Sequence, residues 1–262
     1  ATLNGIGGSV TVDNSSNLLS LGKNSPALIA QSIGGGGGAT GDAKLYARLG
    51  KLSGRGTSTG NRIDVSHEGD IATTGNYSSA VLLQSIGGGG GLAGDVEGSA
   101  GLGSRLNKIA SDHSSDDIVL DVKGNITTVG NNSPAIAASS IGGGGGWIGD
   151  VGGELAMGSY DSNTIQHSGS ITINSEANIN TLGENSTGLL VQSIAGGGGF
   201  AGINTSLYDT TLGSIDSDNG VAKDIDVTNK GEVKTSGDNS AGVLIQSIGG
   251  GGGATALSSS GT

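Results

Sequence analysis

Asp42, Asp95 and Asp150 each stand in a Gly-Asp pair at the same distance behind a run of glycines, so three carboxylates from successive stretches of chain are set to line up. Hard cations bind carboxylate and carbonyl oxygens, which makes this column the calcium candidate of the sequence. Ile203 breaks it in the fourth stretch, and the calcium-binding pattern GGxGxD is missing. Aspartates accepting hydrogen bonds from glycine N–H groups are therefore the preferred reading. The cluster Asp112, His113, Asp116 and Asp117 could ligate a metal, but reads better as a solvated loop. His67, His113 and His167 fall at unequal places, form no Ser/His/Asp spacing and are expected as isolated surface residues. A phosphate-cradling loop needs a Gly-Lys-Ser/Thr ending, and no glycine run here is followed by lysine. No catalytic or cofactor-binding residue is assigned, and the chain reads as a non-enzyme.

What must position these residues is a repeat. The sequence QSIGGGGG occurs at 31–38, 84–91 and 246–253, with SSIGGGGG at 139–146 and QSIAGGGG at 192–199. Measured between the isoleucines, the spacings are 53, 55, 53 and 54 residues. Such a period over the whole chain means an array in which each unit buries its apolar face on its neighbours. The units are 1–38, 39–91, 92–146, 147–199 and 200–253, with a partial unit 254–262, and they read as a portion of something longer.

Each unit reads as strand, turn, strand, corner, strand, glycine run. Period-two stretches such as Ile63-Asp-Val65 and Ile171-Thr-Ile173 are strands with one buried face. Continuous apolar stretches before the glycines, such as Ala80-Val-Leu-Leu83, predict strands buried on both faces. Gly22-Lys-Asn-Ser-Pro26 and its copies supply Gly and Asn for a sharp corner. The stretch after the glycines varies between copies, as insertions on one face of a solenoid do.

Stacking such units as a parallel β-solenoid places equivalent residues about 4.8 Å apart. Gln31, Gln84, Gln192 and Gln246 then form one ladder, interrupted by Ser139; Asn24, Asn132, Asn185 and Asn239 form a second, with Tyr77 at the odd place. Thr73, Thr128, Thr181 and Thr235 form a third. Side chains in such columns bond along the stack. The glycine runs are too constant for linkers, and Ala195 shows that their first place accepts a Cβ. They read as close backbone packing, either a stacked glycine sheet or extended segments of polyproline-II type. A unit of this size fits one enlarged coil or two smaller ones; one coil stacks all the glycine runs and is preferred.

Composition excludes several classes. Fifty-five glycines in 262 residues with 2% aromatics leave little for a compact core, whereas the 33% of apolar residues sit periodically, which argues against disorder. A formal charge of −11 with twelve Lys and Arg argues against a nucleic-acid partner. No apolar stretch is long enough to cross a bilayer as a helix.

Units of the form G-x-I-x-T-x-G-x-N-S-x-G-V/I-x-x-Q-S-I-G-G-G-G-G, seen best in 231–253, resemble the glycine-rich repeats in passenger regions of Gram-negative autotransporters, the type V secreted surface proteins. The resemblance implies an all-β fold, a right-handed parallel β-helix at the cell surface. It also implies a structural or adhesive passenger or fibre subunit, associating end to end or side by side, with host or surface glycans as a candidate partner class. A carbohydrate-binding or carbohydrate-active β-helix is the second reading, and requires paired carboxylates in a groove. An ice-binding solenoid is the third, resting on the threonine column.

Overall fold

The computed structural model describes residues 5–50, 56–103, 112–158, 165–204, 210–213 and 219–256. Every regular element among them is a β-strand, and the strands pair in parallel into five stacked sheets. In each sheet the neighbours are successive copies of the repeat, so Leu28–Ile33, Val81–Ile86, Ile136–Ile141, Leu189–Ile194 and Val243–Ile248 lie side by side in chain order. Gln84 pairs with Gln31 and with Ser139, at offsets of 53 and 55 residues. The arrangement is solenoid-like, and one set of strands is here called a rung.

The third rung shows the path. A small sheet at His113–Ser114 leads into an alternating sheet at Ile118–Thr128, then the Q-S-I sheet at Ile136–Ile141, a glycine sheet at Gly145–Ile148 and a return sheet at Leu155–Met157. Ile118–Thr128 alternates buried and wetter residues, as period two requires. The two strands read separately from the sequence fuse here and in Ile171–Thr181, but remain apart in the second rung as Ile63–Glu68 and Ile71–Thr73. Val81–Ile86, Ile136–Ile141 and Leu189–Ile194 are buried at every position, in agreement with their continuous apolar character.

That double burial follows from how the coil folds over itself. One face of the Q-S-I sheet, with Val81 and Leu83, packs on Ile63, Val65 and Ile71 of the alternating sheet. Its other face, with Leu82, Ala137 and Leu190, is covered by Leu92, Trp147 and Phe200 from the glycine sheet. The far face of the glycine sheet, with Ala93 and Ile148, packs on Ala100, Leu102 and Leu155 of the return sheet. Four layers thus enclose three apolar seams, which is how a chain poor in aromatics still buries a core. Where the third rung narrows to Ala137, the glycine sheet widens to Trp147, which stacks on Phe200 at 4.1 Å between ring centroids. The stretch after the glycines, read as variable insertion, forms the ordered return sheet: Tyr46–Leu49 pairs in register with Ser99–Leu102 despite the dissimilar sequences.

The glycine runs turn out to be half corner and half strand. Gly145 and Gly146 have φ of 140° and 137°, and Gly90 and Gly91 have 133° and 130°, so the last two glycines are extended in the mirror-image region closed to L side chains. This rules out the polyproline-II form, whose φ is negative. A Cβ on Gly145 would strike the carbonyl oxygen of Gly198 in the next rung. Ala195 occupies a first place, where φ is not positive, and its Cβ faces Gly220.

Candidate functional site

The polar interior of the stack is its most organised chemistry. In the Q-S-I sheet the serine stitches two rungs to the segment leading into the alternating sheet. Ser85 Oγ donates to the Asn61 carbonyl at 3.0 Å and accepts from the Asp116 N–H at 3.0 Å. Ser140 repeats this with the Asp116 carbonyl and the Gly169 N–H at 3.0 and 2.8 Å, and Ser193 with Gly169 and Lys223 at 3.1 and 3.2 Å. A second serine column runs along the corners. Ser133 Oγ accepts from the Ser78 N–H at 3.0 Å and donates to the Gly75 carbonyl at 3.1 Å; Ser186 does the same for Ser133 and Gly130 at 3.0 and 2.9 Å. These serines were not singled out from the sequence. The signal was present, because both hold in all five copies while the glutamine and asparagine each lapse once.

The expected ladders fare unequally. Gln31 Nε2 donates to Gln84 Oε1 at 2.6 Å, and Gln192 Nε2 to Gln246 Oε1 at 2.8 Å, with Ser139 standing between the two pairs. Asn24, Asn132, Asn185 and Asn239 share a backbone conformation, with φ of 52–55°, but among the described residues no amide of this column bonds to the amide of another, and Asn132 lies against the Tyr77 phenol instead. Their common role is the left-handed corner, which Asn tolerates better than most side chains. Thr73, Thr181 and Thr235 bond across the corner, to the carbonyls of Ser78, Ser186 and Ser240 at 2.5, 2.6 and 2.9 Å, and not along the stack. Thr73, Thr128 and Thr181 are fully buried and Thr235 is half-buried, so the three buried rungs of the threonine column present no face to ice.

The aspartate column is a brace between the corner and the Gly-Asp turn. Asp42 Oδ1 accepts the Asp95 N–H at 2.9 Å, Asp95 Oδ1 the Asp150 N–H at 3.0 Å and Asp150 Oδ1 the Ile203 N–H at 2.7 Å. The second oxygens face the corner. Lys23 Nζ lies 2.6 Å from Asp95 Oδ2 and 3.6 Å from Asp42 Oδ2, the place a bridging cation would take, and Asn24 Nδ2 donates to Asp42 Oδ1, which thus accepts twice, at 2.5 Å. The hydrogen bond to Asp95 raises the Lys23 ammonium above its ordinary range. Tyr77, with φ of 56° in the asparagine column, faces Asp150, and burial followed by this carboxylate pushes its phenol up. In the fourth rung the corner carries Glu184 beside Asn185, and the matching place in the aspartate column is Ile203. No group of three or more His, Cys, Asp and Glu suited to a metal occurs among the described residues.

Two further expectations are revised. His67 and His113 are buried, at 1% and 3% exposure, and not on the surface. His67 Nδ1 accepts from Asn14 Nδ2 at 2.9 Å and Nε2 donates to the Gly69 carbonyl at 3.1 Å, so both ring nitrogens serve structure. In the acidic cluster, Asp112 and Asp117 accept the N–H groups of Ile165 and Ser170 in the next rung at 3.3 and 2.8 Å, and Asp116 accepts that of Asp117 at 2.8 Å.

The outer face of the alternating sheet is open and carries carboxylates, with a shallow depression lined by Thr11, Asp13, Asp64, Ser66 and Asp121. A glycosidase needs one carboxyl held protonated. Here Arg62 grips Asp64 at 2.6 and 2.9 Å and holds it below the ordinary carboxylate range, while Asp121 accepts from Asn174 at 2.8 Å. No described helix is long and apolar enough to cross a membrane. Comparison with family models, with curated proteins and with solved structures gives no match for this chain.

Proposed function

We propose that the chain is a stretch of right-handed parallel β-solenoid, one coil per repeat of about 54 residues, serving as a structural or adhesive passenger on the surface of a Gram-negative bacterium. The observation that carries this reading is the use of the conserved polar side chains of the repeat. Serines, glutamines and aspartates are spent on joining one rung to the next, as in Ser140 to Gly169 and Asp95 to Asp150, which suits a protein whose product is its own rigid length. Among the described residues Val243–Ile248 pairs on one side only, and a further rung of the same kind, from the same chain or another copy, would extend the stack there.

Two deletions test the coil. Removing residues 142–194, one full period, joins Ile141 to Ala195 and restores every column, so the shortened protein should remain folded and protease-resistant. Removing 142–168, half a period, should leave it unfolded. Tolerance of the half-period deletion would mean two coils per repeat. The location is tested by antibody labelling of intact source cells: staining only after lysis would end the surface reading.

A further inference from the structure

The glutamine ladder has a direction. Gln31 donates through Nε2 to Gln84 Oε1, and Gln192 donates through Nε2 to Gln246 Oε1. Both pairs point the same way along the stack, so Gln84 offers its N–H₂ towards the third rung and Gln192 offers Oε1 back towards it. Between them stands Ser139, in register with both. Serine lacks three of the heavy atoms of glutamine, including the amide nitrogen that would continue the chain. The consequence is written on the flanking groups. Gln192 is fully buried and its Oε1 has no hydrogen-bonding partner in the protein, while Gln84 Nε2 reaches only the Gly91 carbonyl at 3.5 Å, at the outer limit for such a bond.

Trp147, the bulky residue of that rung, covers the same face of the Q-S-I sheet beside Ala137, two residues before Ser139, and Gln192 Oε1 is left without a partner all the same. A buried carbonyl without a partner costs about 1–3 kcal/mol, and the three heavy atoms that serine lacks correspond to the space of one or two waters at about 30 Å³ each.

We propose that the Ser139 interval is an internal hydration site. A water accepts from Gln84 Nε2, donates to Gln192 Oε1 and takes Ser139 Oγ as its third partner. It relays the amide chain in the direction the flanking pairs define. The five-rung column is then one continuous hydrogen-bonded line with a water in place of the missing amide.

The test uses the whole chain. In the native protein, the side-chain amide of Gln84 should show a nuclear Overhauser contact to a water resident for nanoseconds or longer. S139Q should abolish that contact and raise the melting midpoint by about 2–4 °C, the scale of one recovered hydrogen bond in a protein of this size. S139V, which fills the interval with methyl groups, should lower the midpoint. Absence of the water contact in the native protein overturns the proposal whatever the variants do. So does an S139V variant more stable than native, which would show that Gln192 Oε1 needs no partner.

Discussion

Ser140 carries more of the joint between rungs than any apolar neighbour of its size could. Its hydroxyl donates to the Asp116 carbonyl, accepts from the Gly169 N–H and lies 2.8 Å from Ser115 Oγ, all without solvent. Ser140→Ala should cost about 1–3 kcal/mol in denaturant unfolding, because a buried N–H loses its partner. The same change at Ser247, on the exposed end rung, should cost less than about 1 kcal/mol. Equal losses at the two places would show that the hydroxyl is not the joint. Tyr77 makes a second residue-scale case. Its phenol is raised by burial and by Asp150, whereas an unfolded tyrosine ionises near pH 10. A group raised in the folded state contributes stability that is complete below the unfolded value and is lost as the pH climbs past it. Absorbance titration should therefore show Tyr77 ionising only as the protein unfolds above about pH 10, and Tyr77→Phe should flatten that alkaline loss. Ionisation of Tyr77 in a still-folded protein would refute its burial against Asp150. The sequence made the columns legible but not their bonds: in-register stacking brings Gln to Gln, yet the corner turns Asn24 towards Asp42 and Thr73 back onto Ser78, which no alignment of repeats displays.

At the scale of the element, the glycine sheet was legible as close packing, while its handedness was not. Five consecutive glycines permit either sign of φ, and only the stacked carbonyls decide. Gly145→Ala should destabilise the protein by at least about 3 kcal/mol, since it forces an L residue to φ of 140° and drives its Cβ into the Gly198 carbonyl. Gly250→Ala, at a place with open space and no positive φ, should be neutral or slightly stabilising. Similar melting points for the two variants would mean that the run is held loosely. The return sheet was the element least visible in advance. Its strands keep only an alternation of small and apolar residues, Ala47 and Leu49 against Ala100 and Leu102, and are defined by pairing with neighbouring copies rather than by a shared motif.

At the scale of the molecule, the period came directly from the sequence and the layered cross-section did not. Burial of Val81–Ile86 on both faces was readable from its apolar run, but what covers the second face is the glycine sheet, a segment whose composition suggests no covering power. It works because Leu92, Trp147 and Phe200 follow the glycines directly, so a nearly side-chain-free ribbon carries one large residue per rung. Unequal repeat lengths are absorbed where they do no harm. The third unit gains its two residues between Gly103 and His113, after the return strand Ser99–Leu102 has closed, and the five sheets keep register through it.

The brace between corner and turn has a consequence for how such a gene can change. Repeats with a shared motif invite unequal crossing-over, and a backbone that accepts every copy would let units be shuffled freely. The side chains weigh against it, because Asp42, Asp95 and Asp150 meet Lys23, Asn24 and Tyr77, whereas the rung bearing Glu184 answers with Ile203. Each corner reaches the aspartate of its own rung or the following one, so a Glu184 corner placed where Lys23 now stands would set carboxylate against carboxylate. The order of the units thus matters to the charge balance of this brace.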